Sequence, residues 1–102
     1  MSISVVISAW NEESKLGRCL ASVVWADEVI VIDNSSTDRT AKIAREFGAK
    51  VFRQSNNLML NVNKNFGFEK ASGDWIFSLD ADEEVTKELA KEIKERVKNL
   101  VI

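Results

Sequence analysis

The sequence predicts an α/β fold, a three-layer sandwich in which helices cover both faces of a mainly parallel sheet. Two observations favour it. Short apolar runs rich in β-branched residues have the composition of strands buried on both faces, and segments with helical apolar periodicity separate them. The runs are residues 3–9, 28–33, 50–53 and 74–79. Because crossovers between parallel strands are right-handed, this alternation places helices on both faces of the sheet.

The first helix is expected directly after the first strand. Asn11 is a candidate N-cap, and Glu12 and Glu13 would then lie in the first turn, where the helix dipole favours anions. Apolar residues follow at the spacing of one helical face: Leu16, Cys19, Leu20, Val23 and Val24. The segment is therefore expected to be amphipathic and to pack one face on the sheet.

Two further helices are bounded by capping residues. Ser36 or Thr37 is the expected cap of the second helix, which Gly48 ends in the left-handed conformation that glycine adopts at little cost. A third helix is expected between Val62 and Gly73, with Gly73 as its C-terminal glycine.

The last helix is expected to begin after Thr86, a candidate N-cap. Its apolar stripe follows helical spacing: Leu89, Ile93, Val97 and Leu100.

Length and composition indicate one small domain, residues 1–102, with a single core. The net charge of −2 gives no global field that would attract nucleic acid. The apolar run at the start is too short for a signal peptide or a transmembrane segment. Cys19, the only cysteine, cannot form an internal disulfide, which favours a reduced, cytoplasmic setting.

Polar residues follow three of the predicted strands. Trp10 and Glu12 come after the first strand, Asp33 ends the second, and Asp80 and Asp82 come after the fourth. In parallel sheets, ligands bind beyond the carboxyl ends of the strands, where the strand order reverses. We therefore expect these residues to share one edge and to build one site.

Asp80 and Asp82 are candidate metal ligands. In an extended segment their side chains point the same way, and paired hard oxygen donors suit Mg²⁺ or Mn²⁺, with phosphate and water completing the coordination. A calcium EF-hand does not fit, because Val85 stands where that loop needs Gly and Lys91 where it needs Glu. Zinc is disfavoured by one cysteine and no histidine.

Each candidate has a structural alternative. The acidic residues can serve the start of the last helix, which is the expected role of Glu83 and Glu84. Asp33 can belong to a turn, or its carboxylate can accept a hydrogen bond from a nucleobase ring N–H. Trp10 can pack at the edge of the core, or it can offer a face to a base.

The ordered motifs VVISAWNEE, VIVIDNSSTDRT, NKNFGFEKASGDW and IFSLDADE cover nearly the whole chain. With them, the chain resembles the amino-terminal, nucleotide-binding half of the inverting family-2 glycosyltransferases, which have the Rossmann-like GT-A fold. It is especially similar to bacterial enzymes that add sugars to lipopolysaccharide core or other envelope glycans.

The resemblance implies a nucleotide-diphosphate sugar, with a uracil base, as ligand. Trp10 and Glu12 would border the nucleoside, and Asp33 would contact the base. Asp80 would lie near the ribose or the metal, and Asp82 would bind the Mg²⁺ or Mn²⁺ that bridges the diphosphate.

Lys64 and Asn65 fall in a region that flanks the donor in relatives. Family members are longer, and their second half supplies the acceptor site and a carboxylate general base. The resemblance therefore implies a chain truncated after the DxD motif and one helix, which binds donor but transfers little sugar alone. A homodimer through the uncovered surface and a peripheral position at the inner membrane are further expectations.

Two other classes stay open from the residues. A Mg²⁺-binding receiver domain of signalling proteins also has an acidic pocket at strand ends, although here the acid pair follows the fourth strand rather than the first. A non-catalytic, self-associating fragment of the fold is the other alternative.

Overall fold

The computed structural model describes residues 2–55 and 66–99. The strands are β1 (Ile3–Ala9), β2 (Glu28–Asp33), β3 (Lys50–Arg53) and β4 (Trp75–Asp80), and the helices are α1 (Leu16–Ala21), α2 (Thr40–Glu46) and α3 (Lys87–Asn99). Residues 66–70 are also helical. The strand predictions are confirmed, the fourth with a shift of one residue. None of the helices in the described ranges has the length and apolar character needed to cross a membrane.

The strands form one sheet in the order β3-β2-β1-β4, and every pairing between them is parallel. The order reverses at β1, since the chain adds β2 and β3 on one side and β4 on the other. All carboxyl ends therefore meet at one edge, and the point where the strand order reverses lies between β1 and β4.

Apolar side chains fill both faces of the sheet, as the α/β prediction requires. On one face, Val5, Ile7 and Val31 pack with buried residues of α1, α2 and α3. On the other face, a smaller cluster of Val6, Ile30 and Ile32 lies under partly buried aromatic and small side chains: Phe52, Phe66 and Ala71. Helical segments thus lie on both faces, and β-branched side chains pack between them.

The first helix begins later than the sequence predicts. α1 starts at Leu16, and its N-cap position is Lys15 rather than Asn11. Asn11 instead adopts a left-handed conformation with φ of 49°, which asparagine tolerates better than most residues. Val24, placed on the apolar stripe, lies beyond the end of the helix and is 68% exposed, so its predicted burial is wrong.

The second helix also begins later than expected. α2 starts at Thr40, whose backbone N–H and hydroxyl both donate to Asp38 Oδ1. Ser36 and Thr37 are therefore not its caps. Gly48 follows this helix with φ of +83°, which confirms the left-handed stop.

The last helix is confirmed with its cap. The Thr86 hydroxyl accepts a hydrogen bond of 3.1 Å from the backbone N–H of Leu89. Leu89 itself is 41% exposed, so its place on the apolar stripe is wrong, and Ala90 is buried instead. Leu100, the last member of that stripe, lies outside the described residues.

Gly73 does not end a helix. The described part of the third helix ends at Lys70, and Val62 lies outside the described residues. A Cβ on Gly73 would lie 2.5 Å from Ser4 Oγ and 2.8 Å from Ser4 N. This residue is a glycine because the chain passes directly against β1, and its N–H donates to Ser4 Oγ at 2.9 Å.

Glu28 joins the start of three strands at the amino-terminal edge of the sheet. Its side chain is 9% exposed. Oε1 accepts hydrogen bonds from Ser4 Oγ and the Ser72 N–H, and Oε2 accepts from Lys50 Nζ at 2.6 Å and from Ser72 Oγ. The hydrogen bond from Lys50 is the largest cause that lowers the pKa of Glu28 from 4.5 to about 2, followed by that from Ser72.

We expect Glu28→Gln to lower the free energy of unfolding by about 1–3 kcal/mol, because the charge-assisted hydrogen bonds are lost. A folded-state pKa below the unfolded value means that the carboxylate stabilises the fold above pH 4.5 and loses this effect as the pH falls towards 2. Urea denaturation measured across this window should therefore show a shallower fall for the variant than for the wild type. Glu46→Gln, at an exposed helix position, is the matched control, and equal pH profiles for wild type and Glu28→Gln would contradict the assignment.

Candidate functional site

The carboxyl edge of the sheet brings Asp33 and Asp80 to opposite sides of β1. Asp33 pairs with Ala9, and Asp80 pairs with Ser8. Since neighbouring strands lie about 4.8 Å apart, the two aspartate backbones are roughly 10 Å from each other. The expectation that these parts of the chain meet at one edge of the sheet is confirmed, and the expectation that they build one site stays a prediction.

The two aspartates leave the sheet on different faces. Asp33 is in register with Ala9, on the face covered by α1 and α2, whereas Asp80 is in register with Ser8, on the other face. Successive residues of a strand alternate between faces, so the register fixes these directions. A ligand that touches both carboxylates must therefore lie across the edge, over the end of β1.

Reciprocal hydrogen bonds join the loop after β1 to the loop after β2. The Asn11 N–H donates to Ser36 Oγ at 2.9 Å, and Asn11 Oδ1 accepts from the Thr37 N–H at 2.8 Å. Asn34 donates through its N–H to the Ala9 carbonyl at 2.9 Å. The sequence interpretation missed these pairings, although the left-handed preference of asparagine was a signal at Asn11.

Trp10 and Glu12 lie on this joined pair of loops. Trp10 directly follows β1 and is 51% exposed, so its ring is not part of the core. Glu12 is half-buried, and its N–H donates to Thr40 Oγ1 at 3.0 Å while its carbonyl begins the turn that leads into α1. The loop therefore presents an aromatic face at the carboxyl edge from a fixed backbone.

Asp33 is the most buried acidic residue of this edge, with 1% exposure. Its Oδ1 accepts a hydrogen bond of 3.0 Å from the Ser36 N–H. Its Oδ2 is buried, and no described residue donates a hydrogen bond to it. The nearest positive charge is the Arg53 guanidinium, 4.0 Å from Oδ2 and largely exposed. A buried carboxylate oxygen without a donor is costly, which makes it the unusual feature of the site.

Asp80 and Asp82 stand at the end of β4, but not in one extended segment. The strand ends at Asp80, and the chain turns at Ala81 and Asp82. Ala81 is 2% exposed and its N–H donates to the Ser8 carbonyl at 3.1 Å, while both aspartates are exposed. The prediction that an extended segment directs both side chains the same way is therefore wrong. Both carboxylates are nevertheless exposed to solvent, on either side of the buried Ala81.

Helix α1 and its C-cap residue bond to both ends of the acidic turn, residues 80–85. The Cys19 thiol donates to the Asp80 carbonyl at 3.7 Å, and Ser22 Oγ accepts from the Val85 N–H at 3.0 Å. Burial raises the pKa of Cys19 to about 12, helped by the negative charges of the turn, of which Glu83 is the strongest. The thiol is therefore neutral at physiological pH and serves as a weak donor.

The acidic turn has the donor chemistry for a divalent cation shared with a ligand. No group of three potential protein ligands gathers within residues 2–55 and 66–99. Mg²⁺ and Mn²⁺ are commonly held by one or two carboxylates while phosphate and water oxygens complete the shell, so two exposed aspartates fit this mode. Lys64 and Asn65, the other residues expected near the donor, lie outside the described ranges.

Two concavities lie elsewhere on the described surface. A hollow of about 330 Å³ lies at the amino-terminal edge and is lined by Ser4, Glu28, Lys50 and Gly73, among others, but Glu28 and Lys50 already bond to each other there. A mostly apolar groove of about 450 Å³ lies between α1 and the start of α3. Neither lies at the carboxyl edge that holds Asp33 and Asp80.

Comparison with known proteins decides the family. The model of "Glycosyl transferase family 2" matches residues 4–100. The chain belongs to glycosyl transferase family 2. An uncharacterized glycosyltransferase of Rickettsia typhi is 43% identical over 93 residues, which are 90% of this chain and 32% of the relative. The lipopolysaccharide core biosynthesis glycosyltransferase LpsC of Rhizobium meliloti is 31% identical over 99 residues, 93% of this chain and 37% of the relative.

Solved structures agree with the family and show the fold. TarS 1–349 of S. aureus in complex with UDP-GlcNAc superposes with a TM-score of 0.85 at 26% identity, covering 96% of this chain and 31% of TarS. Glucosyl-3-phosphoglycerate synthase of Mycobacterium tuberculosis superposes with a TM-score of 0.69 at 28% identity, covering 81% of this chain and 35% of the synthase. That structure is a complex with Mn²⁺, UDP and glucosyl-3-phosphoglycerate.

The family 2 chain described here therefore has the GT-A, Rossmann-like fold, and the matched segment is the amino-terminal part of that fold. It spans about a third of the length of the curated relatives it matches. Membership in this family removes the receiver domain as an interpretation of the acidic edge.

Proposed function

We propose that the carboxyl edge of this chain binds a uridine diphosphate sugar together with a divalent cation, as the donor site of a glycosyltransferase. The observation that carries the proposal is the Asp33 carboxylate: it is buried at the edge, and its Oδ2 accepts no hydrogen bond from any described residue. A buried acceptor of this kind is explained by a ligand that donates to it.

Uracil supplies the matching donor. Its ring N3–H is a single donor on the edge of the base, whereas the same position of cytosine is an acceptor. Asp33 is held by the Ser36 N–H on Oδ1, so Oδ2 keeps its direction before a base arrives. This preorganisation favours recognition of a uridine nucleotide over a cytidine nucleotide.

Trp10 offers the apolar surface that a base needs. It is half exposed at the end of β1, one residue past the Ala9 that pairs with Asp33. Aromatic rings stack on bases whatever the sequence of the nucleotide, so Trp10 would add affinity while Asp33 adds selectivity. Glu12, on the same loop, is proposed to border the ribose.

Asp80 and Asp82 are proposed to hold Mg²⁺ or Mn²⁺ against the diphosphate, with Asp80 also close to the ribose. Support comes from their exposure on either side of the buried Ala81 and from the Mn²⁺ and UDP present in the mycobacterial structure. When bound, such an ion neutralises the charge that develops on the departing diphosphate. The residues of this chain would fix its position at the end of β4.

Support for the transferred sugar and its acceptor comes from the relatives. The TarS complex contains UDP-GlcNAc, and one relative is named for lipopolysaccharide core biosynthesis. We propose an envelope glycan or lipid as the acceptor class for the whole protein. For the 102-residue chain itself, the proposal is limited to donor and metal binding.

Calorimetric titration of the chain with UDP, with and without Mn²⁺, tests the proposal. We expect UDP to bind in both conditions and at least about tenfold more tightly with Mn²⁺, which corresponds to about 1.4 kcal/mol. Uridine and UMP are the controls, because they lack the diphosphate and should show a smaller response to the metal. Absence of UDP binding in both conditions would contradict the proposed function.

A further inference from the structure

The acidic turn is closed by a side chain that the sequence interpretation assigned to the start of the last helix. The Glu83 N–H donates to the Asp80 carbonyl at 2.9 Å, and Glu83 Oε1 accepts from the Asp80 N–H at 2.8 Å. Glu83 therefore bonds to both backbone groups of Asp80, three residues earlier in the chain. These two hydrogen bonds close the turn that contains Ala81 and Asp82.

The position of Asp80 in the sheet explains why its backbone N–H can reach Glu83. β4 is an edge strand of the described sheet, and the Ala81 N–H donates to β1 through the Ser8 carbonyl. Alternate residues of a parallel strand direct their backbone groups to alternate sides, so the Asp80 N–H points away from β1. Glu83 Oε1 accepts a hydrogen bond from this outward-pointing donor at 2.8 Å.

We propose that Glu83 is a positioning residue for the Asp80 and Asp82 pair and not a third metal ligand. The inference rests on the proposed function of the edge as a metal-dependent donor site. The Glu83 oxygen Oε1 already accepts a hydrogen bond from the Asp80 N–H. This hydrogen bond closes the turn that contains Asp82 and holds its backbone in place.

The rest of the turn is held from α1 at its two ends. The Cys19 thiol bonds to the Asp80 carbonyl and the Ser22 hydroxyl bonds to the Val85 N–H. These contacts fix the start and the end of the segment, whereas Glu83 acts within it. Loss of Glu83 would let the Asp82 backbone sample more orientations, so metal binding would have to order it again at an entropic cost.

Two substitutions separate positioning from ligation. Glu83→Gln keeps a side-chain oxygen that can accept from the Asp80 N–H but replaces the carboxylate with a neutral amide, a weaker ligand for a hard divalent cation. Glu83→Ala removes both. We expect Glu83→Ala to lower the enhancement of UDP binding by Mn²⁺ roughly three- to tenfold, the size expected for one lost hydrogen bond, and Glu83→Gln to retain most of it.

Glu84→Ala and Glu84→Gln are the matched controls, since they remove the same groups one residue further along the chain. If Glu83→Gln loses as much of the Mn²⁺ enhancement as Glu83→Ala while the Glu84 variants lose little, Glu83 acts through its charge and the proposal is wrong. If neither Glu83 variant changes the enhancement, the proposal is wrong as well.

Amide hydrogen exchange at Asp80, measured without ligand, provides an independent readout. The N–H should exchange faster in Glu83→Ala than in the wild type and stay protected in Glu83→Gln. If the wild-type chain binds UDP without any Mn²⁺ enhancement but the exchange pattern is as expected, the proposed metal site fails while the closure of the turn by Glu83 stands. Unchanged exchange in Glu83→Ala would refute that closure directly.

Discussion

Asp33→Asn should weaken UDP binding by roughly 10- to 100-fold, the range expected for the loss of one hydrogen bond to a charged acceptor. The wild-type carboxylate accepts from the Ser36 N–H on Oδ1 and keeps Oδ2 for the ligand. An asparagine has one oxygen and one NH₂ group. In either orientation its NH₂ group therefore faces a donor, either the Ser36 N–H or the base.

The stability of this variant is expected to stay within about 1 kcal/mol of the wild type. A neutral amide avoids the desolvation cost of the buried carboxylate, and the lost ion pair with Arg53 is 4.0 Å long with a largely exposed partner. A binding loss with an unchanged thermal midpoint would thus locate the effect in recognition rather than in folding.

CDP and the N3-methyl analogue of UDP isolate the base contact, since neither carries an N–H at that ring position. The wild type should discriminate against both, and Asp33→Asn should discriminate much less. Asp74→Asn removes one negative charge at the amino-terminal edge and serves as the matched control. Equal loss of UDP and CDP binding in Asp33→Asn would contradict a specific contact with uracil.

Asp82→Asn should abolish the enhancement of UDP binding by Mn²⁺ and leave metal-free UDP binding nearly unchanged. Asp82 is exposed in a turn supported by Ala81 and Glu83, so its substitution removes a donor oxygen without opening the core. An amide oxygen binds a hard divalent cation more weakly than a carboxylate does, and the remaining Asp80 would be one charged ligand where two are proposed. Titrations of UDP with Mn²⁺ and with Mg²⁺ measure the effect.

Glu84→Gln is the control for Asp82→Asn, since it removes a nearby charge from the same acidic segment. Retention of the full Mn²⁺ enhancement in Asp82→Asn would remove this residue from the metal site. A loss of similar size in both variants would point to the general negative potential of the turn.

The fold followed from the sequence because continuous apolar runs mark the strands and helical apolar periodicity marks the helices between them. The runs that became β1 and β2 are buried on both faces, and buried parallel strands need continuous apolar composition rather than alternation. The convergence of Asp33 and Asp80 followed from topology alone, since parallel strands align all carboxyl ends at one edge. Neither result required knowledge of side-chain contacts.

The details of the loops did not follow, because several polar residues there could cap, turn or cross-link equally well. Asn11 is a residue type favoured at helix N-caps, but its Oδ1 accepts a hydrogen bond from the Thr37 N–H in a different loop. Ser36, a candidate cap, accepts from the Asn11 N–H instead. The choice among such partners depends on which loops the sheet brings together, and that is tertiary information.

The local structure of the acidic turn was not predicted correctly. An extended segment was expected to direct Asp80 and Asp82 the same way, whereas the chain turns at Ala81. The hydrogen bonds between Glu83 and Asp80 were missed, because an acidic residue just before a helix is also explained by the helix dipole. The position of Asp80 on an edge strand favours a hydrogen bond from its backbone to Glu83 over a helix-dipole role for Glu83, and that position is seen only in the structure.

Paramagnetic broadening by Mn²⁺ in the presence of UDP tests the carboxyl-edge site most directly, with Mg²⁺ and UDP as the diamagnetic reference. We expect the backbone amide signals of Trp10, Asn34 and Ala81 to lose intensity, because these residues surround the ends of β1, β2 and β4. The signals of Val29 and Gly73, which line the hollow at the amino-terminal edge, should persist. Selective broadening at Val29 and Gly73, with Trp10 and Ala81 unaffected, would contradict a nucleotide-sugar site at the carboxyl edge.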